Sequence, residues 1–393
     1  MPPDINFVSL GMLVLDELHL PGGQVLRDGV GGSGAWSMLG ARIAAGPKAA
    51  QQVGSFVVAG RDFPESAAQA VRELGVTLEM LVDETRESTR GRLVYHDETF
   101  NSQQDIQLSD HAAATHTWPA TPQSPGVQVL PHAPSPEAIA IQVPQLLRRR
   151  REAGILDDPL IVWEPLPWKC TPEHLAAHRD ACKLVSVFSP NHLELLGLYG
   201  LAEANKAAEA LAAEKQVVRD CAASLHADVV ADGDAGWGGI VAVRYAEKGC
   251  VVCFCDDAAT DTARKPHVAT FPPYHVYQDR VVDATGAGNA FLGALAVTLA
   301  AADASQSTGE ERTQRGMAAA ALPARGDTRA VLMEAIVRAS VVASFAIEQI
   351  GFPRRVTVGD GDGEERKEQW NGDTVSKRYV AFAERAAEFT YAL

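Results

Sequence analysis

The chain has 393 residues, 46% of them hydrophobic, enough for a sizeable core in one large α/β domain or two ordinary ones. Fifty acidic against 35 basic residues give a net charge of −15, which argues against any general affinity for nucleic acid or anionic membranes. Six cysteines are too sparse for a disulfide scaffold, the N-terminus lacks the basic start of a signal peptide, and no apolar stretch would span a bilayer, so the sequence reads as cytoplasmic.

In chain order, INFVSLGMLVLDEL reads as a first apolar strand ending near Asp16. VGGSGAWSMLGARIAAG then places Gly31, Gly32 and Gly34 at the entry to an alanine-rich helix closed by Gly46. QVGSFVVAG is strand-like, FPESAAQAVRELGV is helical as far as Gly75, and STRGRLVYHDETF alternates as an exposed strand does. Further on, PLIVWEP, CKLVSVFSPN and ADVVADG read as short buried strands, separated by helical stretches such as LAEANKAAEALAAEKQVVRDCAASL. CVVCFC contains a C-x-x-C but has no second half, and its Val, Phe and Cys residues predict a buried strand rather than a metal or redox motif. Strands alternating with helices at this interval predict βαβ units and a mostly parallel central sheet.

Two segments depart from that pattern. Residues 101–136, rich in Gln, Ser, Thr, Ala and Pro, and residues 302–328 bury too little apolar surface to offset ordering, and are expected to be surface insertions, partly mobile. The tail after Gly351 is polar until TVSKRYVAFAERAAEF, where Val375, Tyr379, Phe382, Ala386 and Phe389 recur at helical spacing and predict a docked terminal helix.

The chemistry concentrates in DATGAGNAF, Asp283 to Phe291, where a strand leads through Gly286, Ala287 and Gly288 into an apolar helix. Open α/β sheets bind ligands beyond the carboxyl ends of their strands, where such turns present backbone N–H groups at helix starts. N–H groups facing the end of a strand stabilise charge on a phosphoryl group during transfer, although a plain packing turn uses the same residues. Directly after the turn, where a carboxylate would serve as the base, stands Asn289, which cannot take a proton.

Several separated stretches, in order, resemble the PfkB, or ribokinase-like, family of carbohydrate and nucleoside kinases. SLGMLVLD is similar to its opening strand, whose terminal acid, here Asp16, bonds substrate hydroxyls. GGSGAW aligns with the first signature, VGSFVVAGRDFP with a Gly-x-Asp-x-Phe-Gly element, and SPNHLELL with an Asn-x-x-Glu element at Asn191 and Glu194. ADGDAGWG resembles a Gly-x-x-Gly nucleotide turn, DATGAGNAF the second signature, and VVASFAIEQIG the late helix beside the adenine pocket. Together they span most of residues 5–353. The resemblance implies a ribokinase-like three-layer α/β/α domain over residues 1–360, with a mostly parallel central sheet and a small β-sheet lid from strands near 17–30 and 88–106. Residues 361–393 would be a C-terminal extension. It further implies ATP and Mg²⁺ as cofactors, a small-molecule substrate with hydroxyl groups, and a homodimer through the lid.

By the same resemblance, Asn191 and Glu194 serve the metal and, with Gly233, Gly236 and Thr285, the nucleotide. Asp16, Gly31, Gly32 and Trp36 face the substrate. Gly286, Ala287 and Gly288 form the anion hole, ahead of the catalytic position at Asn289. From the residues themselves, Asn191 and Glu194 lie one helical turn apart and suit a hydrated Mg²⁺, or else a helix cap followed by a solvated acid. Gly233 and Gly236 admit either a phosphate or a hairpin turn, Gly31 and Gly32 either a sugar or close helix packing, and Asp16 either a hydroxyl or a turn.

Three positions depart from the family. Trp36 stands where the first signature has Asn, exchanging a polar contact for an aromatic face that fits a stacked substrate or a packed core. Pro64 replaces a glycine, and Asn289 replaces the catalytic Asp that takes the proton from the attacking hydroxyl. A positioned base contributes about 10²- to 10⁴-fold, while positioning and charge neutralisation supply most of phosphoryl-transfer catalysis. The change at 289 is similar to one in a fungal branch of the family linked to maintenance of the yeast killer virus. The residues leave three readings open: a slowed ATP-dependent phosphotransferase, a pseudokinase acting through protein contacts, and a different chemistry in the same pocket.

Overall fold

The computed structural model describes residues 5–95, 103–108, 128–130, 134–156, 158–201, 210–232, 239–255, 266–306, 328–358 and 367–390. The chain divides into two compact units, one comprising Met1–Thr117, Tyr274–Thr298 and Val337–Ala383, the other Trp118–Pro273, Leu299–Ile336 and Glu384–Leu393.

In the first unit, β1 (Phe7–Ser9), β4 (Val53–Gly60) and β5 (Thr77–Asp83) form a parallel array with β4 in the middle. A second sheet runs β3 (Val25–Gly31), β2 (Val14–His19), β6 (Arg90–Tyr95), β7 (Gln103–Leu108), with β2 and β6 parallel and both outer pairs antiparallel. The opening apolar run is therefore two strands rather than one, and Asp16 lies inside β2, paired with Gly29 and Gly91, not at a strand end. The break falls at Gly11 and Met12, where the Met12 carbonyl accepts the Gly34 N–H at 2.9 Å, a bond that closes the chain onto the start of α1 (Ser33–Ala45). The polar stretch from residue 101 supplies β7, and residues 128–130 form β8 (Gln128–Leu130); the rest of that insertion, and most of 302–328, lie outside the described residues.

Helix α1 is buried on every side from Gly34 to Ile43. It crosses the first turns of α7 (Ala287–Gln306) backbone to backbone, since a Cβ on Gly40 would sit 2.0 Å from the Ala290 carbonyl oxygen and one on Gly293 1.9 Å from that of Ser37. No residue but glycine fits either place. The helix α2 (Glu65–Glu73) follows β4 and ends before Gly75, whose φ of +75° turns the chain into β5.

The second unit holds β9 (Val162–Trp163), β10 (Val187–Phe188), β11 (Ile240–Arg244), β12 (Cys250–Phe254) and β13 (His267–Phe271) in that order across one sheet, parallel as far as β11 and antiparallel beyond. Its helices are α3 (Pro136–Glu152), α4 (Leu175–Cys182), α5 (His192–Leu198) and α6 (Ala210–Asp232). Helix α6 runs on through ADVVAD, which the sequence reading had as a strand. Val218, Ala222, Leu225 and Val229 are all buried at steps of four, three and four residues, so the helical period simply continues through the two valines. CVVCFC is buried β-strand, its cysteines are unbridged, and burial pushes the Cys253 thiol up to about 12, far from a reactive thiolate.

After α8 (Thr328–Ala346), the hairpin β14 (Arg355–Val358) and β15 (Lys367–Trp370) and the helix α9 (Val375–Thr390) close the first unit. Phe382 is 1% exposed, and Arg378, 3% exposed, reaches Glu348 at 2.8 Å and the Ser344 hydroxyl at 2.9 Å. Burial works against the Glu348 carboxylate, but His275, Arg378 and Asn371 outweigh it and bring its pKa from 4.5 down to about 2. A carboxylate depressed in the fold stabilises it above the unfolded value, and that stability is lost as pH falls through about 2. Melting curves of wild type and Glu348→Gln between pH 6 and pH 2 are expected to show a deficit in the variant that closes below about pH 4.5. A constant deficit would remove Glu348 as the acid-sensitive group. Among the described residues, no helix is long and apolar enough to cross a membrane.

Candidate functional site

The site of the first unit is built around the turn before α7. Asp283, 3% exposed, accepts the Thr285 N–H at 2.9 Å and the Thr285 hydroxyl at 2.6 Å on one oxygen, and the Tyr95 hydroxyl at 3.1 Å on the other. Tyr95 OH also lies 3.1 Å from Thr285 Oγ1, so β6 holds the turn from the side. Asp283 is thereby a brace, its carboxylate folding the backbone back on itself. Gly286 follows at φ +77°, and a Cβ there would stand 2.0 Å from the Trp36 ring. The indole lies flat against the turn, and glycine is the only residue that meets both demands. Ala287, Gly288 and Asn289 form the first turn of α7; the Ala287 N–H turns back to the Ala284 carbonyl at 3.3 Å, and the positive end of the helix dipole there favours an anion.

Facing the turn is a cavity of about 260 Å³ lined by Asp16, Asp28, Trp36, Asp283, Thr285 and Phe352, with small residues between them. Gly31 lies so close to Asp16 that a Cβ on it would overlap the carboxylate, and Gly32, at φ +86°, caps the start of α1. Trp36 is 3% exposed and meets Phe352 edge to face, ring centroids 5.0 Å apart. The packed-core and ligand-facing readings of Trp36 thus coincide: one face seals the turn and the side chain also walls the cavity. Its Nε1 is buried with no hydrogen-bond partner among the described residues.

Burial, and then the nearby Asp283 carboxylate, push the Asp16 pKa from 3.8 up to about 7. A carboxyl raised in the fold adds stability that is complete below the unfolded value and is lost as pH rises through about 7. Asp16→Asn is therefore expected to match wild-type stability near about pH 4 and to exceed it above about pH 7, read as melting temperature against pH. A variant less stable than wild type at high pH would show that Asp16 carries structure rather than stored strain.

Asn191 and Glu194 belong to the second unit and form a reciprocal helix cap on α5: Asn191 Oδ1 accepts the Glu194 N–H at 2.9 Å and Glu194 Oε2 accepts the Asn191 N–H at 2.7 Å. The acid is not solvated. Glu194 is 7% exposed, and burial pushes it up to about 7 against the pull of Arg244 at 3.6 Å, with Glu164 adding to the rise. Arg244 bridges on to Glu164 at 2.7 Å. As arranged, the pair is committed to the helix end and does not fit a protein cage for Mg²⁺. The described residues contain no group of three or more His, Cys, Asp or Glu that would hold a metal. Gly233 and Gly236 lie outside the described residues.

The structure thus gathers Asp16, Gly31, Gly32, Trp36, Thr285 and Gly286 in one place in the first unit. Sequence reasoning did not reach Tyr95 or Phe352. STRGRLVYHDETF reads as an exposed strand, whereas Tyr95 is 3% exposed, and nothing local pointed it at Asp283.

This combination, a braced glycine turn opening α7 beside an acid on an inner strand, is that of a ribokinase-like α/β protein, and the PfkB family carbohydrate kinase model matches residues 23–351. The chain belongs to that family. It is similar to an uncharacterised protein of Schizosaccharomyces pombe, 25% identical with 97% of this chain and 93% of that protein covered. It is also similar to Protein MAK32 of Saccharomyces cerevisiae, 24% identical over 75% of this chain and 78% of that one. Among solved structures it resembles ribokinase from Cryptococcus neoformans in complex with ADP, with a TM-score of 0.56 and 17% identity over 89% of this chain and 95% of that one.

Proposed function

We propose that the protein is an ATP-dependent phosphotransferase acting on a hydroxyl of a sugar- or nucleoside-like molecule, with Asn289 in place of a carboxylate limiting its rate. The observation that supports it most is the turn at Asp283 to Gly286, held by three hydrogen bonds in an anion-ready form although no base follows it. An apolar packing turn would have no use for a buried carboxylate braced in this way. In this reading the N–H groups of Ala287 and Gly288 face the transferring phosphoryl group, and Asp16 orients the acceptor hydroxyl. With an amide at 289, the reaction runs on positioning and charge neutralisation. In this reading Mg²⁺ would arrive with the nucleotide phosphates and would supply charge neutralisation there. Thr285 contributes to the nucleotide side of the turn. Two copies pair through the exposed edge strand β3, and sedimentation gives the oligomeric state directly.

A second reading, a nucleotide-binding pseudokinase, is favoured by the close seat of Trp36 on Gly286 together with the amide at 289. Both readings expect millimolar ATP or ADP with Mg²⁺ to raise the melting temperature, since a ligand at 100 times its Kd stabilises the fold by about 2.7 kcal/mol. No shift with folded protein would count against both readings, and product formation across a panel of polyols and nucleosides separates one from the other.

A further inference from the structure

A second cavity of the first unit, of about 700 Å³, opens where the segment leading into the Asp283 turn meets the hairpin β14–β15, and it shares no lining residue with the cavity at Asp16. Three of its polar side chains are committed to one another. Glu348 is held by Arg378 at 2.8 Å and by the Asn371 amide at 3.1 Å. The Gln349 amide donates to the Phe345 and Gly351 carbonyls at 3.0 and 3.1 Å, and Asn371 Oδ1 accepts the Arg354 N–H at 3.0 Å. These bonds hold Asn371 at φ +52°, a left-handed conformation that a non-glycine residue keeps only in a braced wall.

The charged groups at the mouth are not committed. Arg280, from the segment before α7, and Arg354, at the start of the hairpin, both line the cavity, are exposed, and have no side-chain hydrogen bond or ion pair among the described residues. That sets them apart in a chain of net charge −15, where Arg42, Arg90, Arg244, Arg355 and Arg378 each reach a carboxylate. Asp279 lines the same cavity and is likewise unpaired among the described residues, so the uncommitted charges are two guanidiniums against one carboxylate. Each guanidinium presents a planar fork that matches a carboxylate with two hydrogen bonds. The two forks come from separate chain segments, and the volume leaves room for a ligand with an acid group at each end.

We propose that this cavity binds a small dicarboxylate, one carboxylate on Arg280 and the other on Arg354. Two carboxylates give each fork its own planar partner, and the second contact forms intramolecularly once the first is made, whereas a single phosphate would have to be shared. Asp279 opposes the ligand by like charge and limits its affinity. Val282, whose N–H donates to the Ile347 carbonyl at 2.7 Å, also lines the cavity and leads directly into Asp283. A bound di-acid therefore bears on the segment that feeds the turn without occupying the turn. The site stands apart from the phosphotransferase reading and does not depend on it.

The test is isothermal titration of the full chain at low ionic strength with succinate, glutarate and adipate, with acetate as the single-acid control and inorganic phosphate as the competing anion. The best of the three di-acids is expected to bind about tenfold or more tighter than acetate. Arg280→Gln and Arg354→Gln are each expected to bring that di-acid down to the level of acetate, and Asp279→Asn to tighten it by about twofold or more, because a like charge is removed. The effect of MgATP on melting temperature is expected to be the same in wild type and in all three variants. These side chains are exposed, so the variants should keep the wild-type melting temperature; if one does not fold, the ligand series on wild type and the other variants decides. Di-acids no tighter than acetate, phosphate tighter than every di-acid, binding that survives the loss of either arginine, or binding that Asp279→Asn fails to tighten would overturn the inference.

Discussion

Changing Asn289 to aspartate is expected to raise phosphoryl transfer by about 10²- to 10⁴-fold, the contribution of a positioned general base. The side chain lies half-buried in the first turn of α7, directly after the glycine turn, and aspartate is isosteric with it. A carboxylate in the first turn of a helix is favoured by the exposed N–H groups there, so the change carries little conformational cost. The measurement is the initial rate of ADP formation at saturating MgATP across polyols and nucleosides, with the melting temperature of the variant recorded beside it. A gain confined to one class of acceptor names the substrate. Wild-type turnover equal to or above that of the variant would mean that the amide is selected for its own hydrogen bonds. An inactive variant that still binds nucleotide would favour the pseudokinase reading.

Cutting Glu368 back to alanine is expected to destabilise the protein by about 3–5 kcal/mol, because it strands a buried guanidinium. Arg42 on α1 is 1% exposed; its Nη1 and Nη2 donate to the two Glu368 oxygens at 3.0 and 2.6 Å, and its Nε to the Leu74 carbonyl at 2.6 Å. The Trp370 ring lies 5.9 Å away, and Arg355 adds bonds to the Glu73 and Leu74 carbonyls. This fork ties the hairpin β14–β15 to the helix that carries Trp36, so the loss should appear as a lower urea midpoint and as weaker ligand binding. Replacing both partners by apolar residues of similar volume, Arg42→Met with Glu368→Leu, is expected to recover most of the stability. A loss below about 1 kcal/mol in the single variant would place the pair with exposed ion pairs, whose worth is small.

The Arg42 fork also shows why only part of the molecule was legible in the sequence. An arginine in an alanine-rich helix and a glutamate 326 residues later each look like solvated charges, and no periodicity links them. Elements with an apolar period were readable, among them β4, α2, the buried β12 and the terminal helix α9. Strand β7 was not, because QQDIQL sits at the border of a polar, Pro-rich stretch and gives no apolar signal. The glycines of the two signatures stood out by their clustering. Gly40 and Gly293, which set the distance between the two helices of the site, sit singly among alanines and leucines and look like ordinary helix residues. The capping box at Asn191 was present as an alternative to a metal pair, but the half-buried Arg244 and Glu164 beside it come from β11 and the end of β9 and cast no local pattern.

The seat of Trp36 on Gly286 limits which substitutions the fold accepts. The indole fills the space between the turn, Phe352 and α1, and a Cβ on the glycine would strike its ring. A small polar residue at 36 would open a void beneath the turn, and large-to-small changes of that size cost about 3–5 kcal/mol. An aspartate at 289 meets no such barrier, since it exchanges one small side chain for another of the same shape. The two positions are thus unequal in what they permit: the one at 289 is free to change, while the tryptophan works as a ratchet, holding the chain to a pocket with an aromatic wall.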